Sequence, residues 1–187
     1  MSNVTKRVLA MSLKGLLAKR PLDAITIQDI VDDAGVSRKT FYYHFQDVYA
    51  LLEWILVDEG KRILEGNITA DTWQQGLRNV LAYFQNNRAM ILNIHRSLQY
   101  NNDFFKVHVT ELVQPLLEQI FEAQPRQELV PAEDKAFILR LYSFGLVALV
   151  LHWIGDGMKP DAEYLMEQLQ RIFSGSMDYV IQKCLGS

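Results

Sequence analysis

The sequence is poor in the residues that mark secreted, fibrous or membrane proteins. It has a single cysteine among its 187 residues, Cys184, which excludes an intramolecular disulfide framework and is typical of a reducing cytoplasm. Its 5 prolines and 10 glycines exclude collagen-like or linker-dominated sequence. The longest uncharged stretch, residues 141–155, is shorter than the roughly 20 residues that cross a bilayer. We therefore predict a soluble, cytoplasmic protein.

Signatures of common enzymes are missing as well. The sequence has no His-Glu-x-x-His, no phosphate-binding glycine loop, no Gly-x-Ser-x-Gly and no dinucleotide fingerprint. Its four histidines are scattered without the spacing of metal ligands, and Cys184 has no histidine near it in the sequence. We expect no catalytic residues, no bound metal and no cofactor.

What the chain does have is enough apolar sequence for a core and an uneven distribution of charge. It is 49% hydrophobic and 22% charged, which is ordinary globular usage. The net charge of −3 divides into +2 for the first 50 residues and −5 for the rest. The N-terminal part is therefore the place to look for a polyanionic partner.

Apolar residues recur at helical spacing almost throughout, and no alternating strand pattern stands out, so the predicted fold class is all-α. Leu9, Leu13 and Leu16 mark a first helix that ends before Pro21. Later patterns predict helices over residues 72–86, 88–98 and 102–123, with Pro115 bending the last of these. Two long helices follow, over residues 131–154 and 161–185.

Residues 25–45, ITIQDIVDDAGVSRKTFYYHF, have the length and turn of a helix-turn-helix. Thr26 with Asp29 three residues later predicts a capping box at the start of a second helix. Gly35 permits the sharp turn, and Ser37 is a favourable N-cap for a third helix. Asp47 in turn is expected to cap a fourth.

The outward face of the third helix combines cationic, hydroxyl and aromatic groups, as a reader of the DNA major groove requires. It carries Arg38, Lys39, Thr40, Tyr42, Tyr43 and His44. Phe41 and Phe45 are predicted to lie in the core. The alternative is a solvated helical hairpin, but five consecutive aromatic rings are unusual on a surface that only contacts water.

The run TFYYHF followed by Asp47, Leu51 and Leu52, after IxDIxxxAGVS, resembles the DNA-binding domain of TetR-type transcriptional regulators over about residues 4–56. The segment from Gly145 to Trp153 and GMKPDAEYL, residues 157–165, are similar to a subgroup that includes activators of dihydroxyacetone-kinase operons. The resemblance implies an N-terminal three-helix helix-turn-helix domain and a C-terminal helical domain for ligand sensing and dimerisation.

Roles follow from the resemblance by position. It implies that Arg38, Lys39, Thr40 and Tyr43 enter the groove, and that Thr26, Ser37, Tyr42 and His44 contact phosphates. Family members commonly carry lysine near the start of the fourth helix, where it reaches the DNA backbone. This chain has Val48 there, so one phosphate contact is lost. Gln28 replaces a basic residue that some members use for base contact, so the target sequence cannot be transferred from them.

The resemblance also implies a homodimer formed by the last two helices, and the residues permit it. One apolar stripe with small residues at its centre runs along each helix, and a monomer would leave both uncovered. The predicted interface comprises Leu141, Gly145, Ala148 and His152 on one helix and Leu165, Leu169, Ile172, Ser176 and Val180 on the other. The alternative is that both stripes are intramolecular core.

A ligand pocket among the middle helices would need apolar walls and a few polar groups that orient the ligand. The candidates are Trp54, Phe84, His95, Tyr100, Phe104, His108 and Tyr142. With few basic residues in this region, we expect a small apolar or weakly polar effector rather than a strongly anionic one. Most such aromatic residues are ordinary core, so each could equally be structural.

These observations predict residues 1–46 as the DNA-binding domain and residues 47–187 as the ligand-sensing and dimerisation domain, with the fourth helix over residues 47–65 as the connector. The predicted function is a dimeric regulator that binds double-stranded operator DNA and is a repressor released by a small-molecule effector. Two alternatives are an activator that acts with a partner protein and a helical protein-interaction module that does not bind DNA.

Overall fold

The computed structural model describes residues 2–64, 73–98, 102–173 and 175–186. Within these ranges the chain forms ten α-helices, joined by loops and two short 3₁₀ turns, and no strand. The helices are α1 Ser2–Leu17, α2 Ile27–Ala34, α3 Arg38–His44, α4 Val48–Leu64, α5 Trp73–Asn86, α6 Arg88–Ser97, α7 Asn102–Glu122, α8 Ala132–Gly155, α9 Ala162–Phe173 and α10 Ser176–Cys184. The all-α prediction is confirmed.

The turn between α2 and α3 forms as the sequence predicts. Gly35 adopts a left-handed conformation, with φ of 66°, and this ends α2. Ser37 caps α3 by accepting a hydrogen bond from the Thr40 amide. The Asp47 carboxylate accepts a hydrogen bond from the Ala50 amide at the start of α4, 2.8 Å away.

Helix α1 is the platform on which this hairpin rests. It packs against α2, α3 and α4. Its Ser12 hydroxyl is buried and donates to the Ile30 carbonyl of α2 at 3.0 Å. Ile30 and Phe41 are both fully buried beside it. The burial of Ile30 of α2 and Phe41 of α3 removes large apolar side chains from water and stabilises the packing of α2 against α3.

The C-terminal region is a helical bundle that begins with α4. That helix packs on α1 on one side and on α5 and α7 on the other, so it contacts both parts of the molecule. Helix α8 packs mainly against α7 and also against α6, while α9 packs on α5. Pro115 lies inside α7.

One expectation about the last helices is wrong. The single helix expected over residues 161–185 is two helices, α9 and α10, because Gly175 between them adopts φ of 73°, which the right-handed helix does not contain. In addition, the 24-residue helix α8 is long and apolar enough to span a membrane by length and composition, although the uncharged run inside it is short. Only 39% of its most apolar window is buried within the chain.

Candidate nucleic-acid interface

Helix α3 presents an exposed face of the composition predicted for it. Arg38 and Lys39 are exposed, and neither has an ion-pair partner among the described residues. Tyr42 and Tyr43 are 52% and 81% exposed. Large aromatic side chains this open to water on a short helix are available to a partner.

Thr26 and Ser37, which we predict to contact DNA phosphates, also act as helix N-caps within the protein. The Ser37 hydroxyl lies 2.9 Å from the Thr40 hydroxyl, and Thr40 is half-buried. The Thr26 hydroxyl donates to an Asp29 carboxylate oxygen at 2.7 Å and accepts from the Asp29 amide. These side chains therefore hold the hairpin in shape, and their contacts with phosphate stay a prediction.

Asp29 completes the capping box at the start of α2. Its carboxylate accepts hydrogen bonds from the Thr26 hydroxyl and amide and lies 3.0 Å from the Arg20 guanidinium. The Thr26 hydroxyl contributes most, followed by the Thr26 amide and Arg20, and together they lower the pKa of Asp29 to about 2. The capped N-terminus of α2 therefore keeps its carboxylate ionised at any physiological pH.

A chain of aromatic rings fixes α3 to α4. The Phe41 and Phe45 rings have centroids 6.0 Å apart, and the Phe45 ring lies 6.2 Å from that of Trp54 on α4. The Lys6 ammonium of α1 lies over both the Phe45 and the Trp54 rings. Phe41 and Phe45 are core residues, as predicted, and half-buried His44 sits between the Tyr43 and Phe45 rings.

The predicted stripe on α8 lies on the surface. Leu141, Gly145, Ala148 and His152 are all exposed. The same face also carries Phe137, Phe144 and Leu149, which are 64%, 55% and 45% exposed and which the sequence analysis missed. The sequence held a signal for them, because Phe137 lies four residues before Leu141, Phe144 four before Ala148 and Leu149 four after Gly145.

The stripe predicted beyond α8 is partly wrong. Leu169 is only 3% exposed and lies in the core of the protomer, so it cannot form an interface. Ser176 donates to the Phe173 carbonyl and lies 3.0 Å from the Tyr142 hydroxyl of α8. Leu165 and Val180 are half-buried against the core.

The break at Gly175 takes Ser176 and Val180 of α10 out of the periodicity of α9. Of the predicted residues on these two helices, Ile172 is the exposed one, at 64%. Tyr164 and Tyr179, which the sequence analysis missed, are 50% and 59% exposed.

The predicted ligand residues do not gather in one described cavity. Trp54 lines a cavity of about 340 Å³ between α1 and α4, in which none of the other candidates takes part. Phe84 is buried in the core, and His108 is buried with its Nδ1 atom 3.1 Å from a Glu111 carboxylate oxygen.

The remaining ligand candidates lie elsewhere. Burial lowers the pKa of His95, whose ring lies beside Gly155 at the end of α8. The Tyr142 ring packs against Phe173. Tyr100 and the Phe104 side chain lie outside the described residues.

Two protein-family comparisons cover most of the chain. Residues 14–55 match the family described as bacterial regulatory proteins, tetR family, and residues 71–175 match a transcriptional regulator C-terminal region. The second match alone spans more than half of the chain. The chain therefore belongs to the TetR family of transcriptional regulators, soluble DNA-binding proteins that act on operator DNA as homodimers.

Individual relatives agree with this assignment. The HTH-type dhaKLM operon transcriptional activator DhaS of Lactococcus lactis is 25% identical over 149 residues, which are 79% of this chain and 78% of DhaS. The solved structure of a dihydroxyacetone kinase operon activator DhaS has a TM-score of 0.73 at 21% identity, over 94% of this chain and 97% of that one.

A more distant structure has the same fold. NalD, the secondary repressor of the MexAB-OprM efflux pump in Pseudomonas aeruginosa, has a TM-score of 0.57 at 18% identity, over 94% of this chain and 98% of NalD. The helix-turn-helix followed by a helical bundle is therefore shared by an activator and a repressor.

Proposed function

We propose that this regulator reads a near-palindromic operator with two copies of α3, one from each protomer. The observation that supports this most is the exposed face of α3, which carries Arg38, Lys39, Tyr42 and Tyr43. On the opposite face buried Phe41 anchors the helix in the core, and Ser37 caps its N-terminus. Arginine and lysine side chains donate to guanine O6 and N7, and both also pair with phosphate.

The dimer brings two such helices to the spacing that DNA needs. The exposed α8 face, with Phe137, Leu141 and Phe144, lies against the same face of a second copy in this proposal. Ile172 and Tyr179 of the following helices extend the contact. A two-fold dimer then places the α3 helices about 34 Å apart, one turn of duplex DNA.

In this proposal residues 1–46 form the DNA-binding domain, residues 47–187 form the sensing and dimerisation domain, and α4 connects them. Helix α4 contacts α1 through the ion pair between Lys14 and Glu59, whose charged atoms are 2.7 Å apart, and it also packs on α5 and α7. A ligand that moves α4 changes the separation of the two α3 helices and hence the affinity for DNA.

A salt titration of DNA binding tests the proposed reading helix. Duplexes from the region upstream of the gene, or selected from random sequence, are titrated with wild type and with Arg38→Ala/Lys39→Ala. We expect the double variant to lose most specific binding and to show a shallower salt dependence, since each phosphate contact contributes about 0.9 to the slope.

The matched control is Lys61→Ala/Arg96→Ala, which removes the same charge from exposed positions on α4 and α6. It should bind almost as wild type does. If the two double variants bind equally well and as tightly as wild type, the hairpin is not a DNA reader, and the protein-interaction module becomes the better interpretation.

For the sign of regulation we propose a repressor in the cytoplasm that a small apolar or weakly polar effector releases from its operator. The likeness to the activator DhaS over 79% of the chain favours a second candidate, an activator that acts with a partner protein. A reporter gene behind the selected operator separates the two. Expression rises on deletion of the regulator gene if it is a repressor, and falls if it is an activator.

A further inference from the structure

A groove between α1 and α4 contains Trp54, and none of the other predicted ligand residues that the structure describes lines it. Its volume, about 340 Å³, falls within the range of small-molecule sites, which runs from roughly 300 to 1,000 Å³. One wall is a helix of the DNA-binding part, and the other is the connector that also packs on α5 and α7.

The floor of this α1–α4 groove is apolar and includes one large aromatic ring. Ala10 and Ile55 are buried, Trp54 is half-buried, and Met11 is 73% exposed at the mouth. A flat or elongated apolar body can displace water from this floor and stack on the indole, which is favourable in proportion to the apolar area covered.

Of the three cationic side chains that line the groove, two have an acidic partner in the part of the chain that the structure describes and one does not. Lys14 pairs with Glu59 at 2.7 Å. Arg62 pairs with Asp58 at 2.6 Å. Arg7 is exposed and has no hydrogen-bond or ion-pair partner among the described residues.

The five charged side chains of the lining together carry a net charge of +1. The charge that no described residue neutralises is that of the exposed Arg7 guanidinium. A ligand with a single negative charge is therefore matched, while an organic cation would meet the guanidinium of Arg7.

We propose that the α1–α4 groove binds an organic anion with an apolar, preferably aromatic, body: the body lies on Trp54 and Ile55, and the carboxylate or sulfonate pairs with Arg7. Of the described residues expected to line an effector pocket the site uses only Trp54, and its existence does not depend on the proposed regulation. Because its two walls are α1 and α4, a bound anion contacts both the DNA-binding part and the connector.

Fluorine NMR on the full-length protein labelled with 5-fluorotryptophan tests the site directly, since the chain has only three tryptophans, at 54, 73 and 153. Trp54→Phe assigns the resonance. The probe is 2-naphthoate, with 2-naphthylmethylammonium as its cationic counterpart. We expect saturable movement of the Trp54 resonance with the anion and a much weaker response with the cation.

Arg7→Ala and Met11→Glu should each weaken binding of 2-naphthoate about threefold to fivefold, the effect of one exposed ion pair or one added like charge. Lys19→Ala, which removes the same charge from an exposed position after α1, should leave the affinity unchanged. Far-ultraviolet circular dichroism verifies that each variant is folded.

Any of four results would overturn the proposal. The Trp54 resonance could stay in place up to millimolar 2-naphthoate, the cation could bind as well as the anion, or Arg7→Ala could bind no more weakly than Lys19→Ala. Movement of the other two resonances alone would place the anion elsewhere and would equally overturn it.

Discussion

The α2–α3 hairpin and the surface of α8 differ in how complete they are within one chain. In the hairpin, Thr26 and Ser37 cap their own helices, and Phe41 is fully buried against the same chain. On α8, Phe137 and Leu141 are more than half exposed. The hairpin is therefore a finished local structure, whereas the α8 face leaves large apolar side chains uncovered, which is why we propose it as the dimer interface.

The largest effect is expected from breaking the α8 face. In the proposed symmetric interface Leu141→Glu places two carboxylates at the centre, where burying an unpaired charge is strongly unfavourable. We expect a folded monomer with no specific operator binding at concentrations where wild type is dimeric. Sedimentation velocity and DNA titration measure both.

The matched control for that variant is Leu129→Glu, because Leu129 has the same 57% exposure as Leu141 but lies in the turn before α8. It should remain a dimer. A dimeric Leu141→Glu variant would show that the proposed interface is wrong.

For the hairpin we expect the large effect on folding to come from removing a buried side chain. Phe41→Ala removes a fully buried ring and should lower the free energy of unfolding by about 3–5 kcal/mol. Phe144→Ala removes a ring that is 55% exposed and should leave the fold of the protomer intact while weakening the dimer. Urea unfolding and sedimentation on the same two samples separate the effects, and similar results for both would show that the hairpin and the α8 face do not differ in this way.

The surroundings of Gly145 within the described part of the chain are empty. A Cβ atom added there meets nothing within 4 Å, so Gly145→Ala in a lone protomer should stabilise the helix by about 0.5–1 kcal/mol. If α8 packs closely on its partner at this point, the added methyl should instead weaken the dimer by about 1–3 kcal/mol. A dimer dissociation constant that is unchanged or lower would place Gly145 outside the close contact.

The smallest effect concerns the cap of α2. The folded-state pKa of Asp29 is about 2, below its ordinary 3.8, so the ionised carboxylate stabilises the fold above about pH 4, and this stabilisation disappears as the pH falls through 2. Thr26→Ala removes the hydroxyl that lowers the pKa most. Carboxyl carbon NMR titration should then find a higher midpoint for Asp29, and an unchanged midpoint would assign the shift to the Thr26 amide and Arg20.

Features that depend on neighbouring residues were predicted correctly from the sequence, whereas features that depend on distant segments were not. The ends of α2 and α3 were predicted to within a residue because Thr26, Gly35 and Ser37 act on backbone groups at most a few residues away. Leu169 was misplaced because its neighbours in the core include Trp73 and Leu116, on helices distant in the sequence. Helical periodicity shows that a residue is on an apolar face but not which partner covers that face.

The candidate ligand residues illustrate the same limit. Trp54 and His95 both have the composition of a pocket wall, yet Trp54 faces α1 while the ring of His95 lies beside Gly155 of α8. The α1–α4 groove itself could not be found from sequence, since it needs the relative position of two helices separated by the whole hairpin.

Sequence alone was enough for the family, the helix-turn-helix and the exposure of Arg38, Lys39, Tyr42 and Tyr43 on α3, because caps, turns and the aromatic run of that helix are local and specific. The tertiary structure decided which stripe of each long helix is core and which is surface. It also decided where α9 ends and which charged side chains stay unpaired beside Trp54. These depend on packing between distant segments, and that packing is a property of the folded chain as a whole.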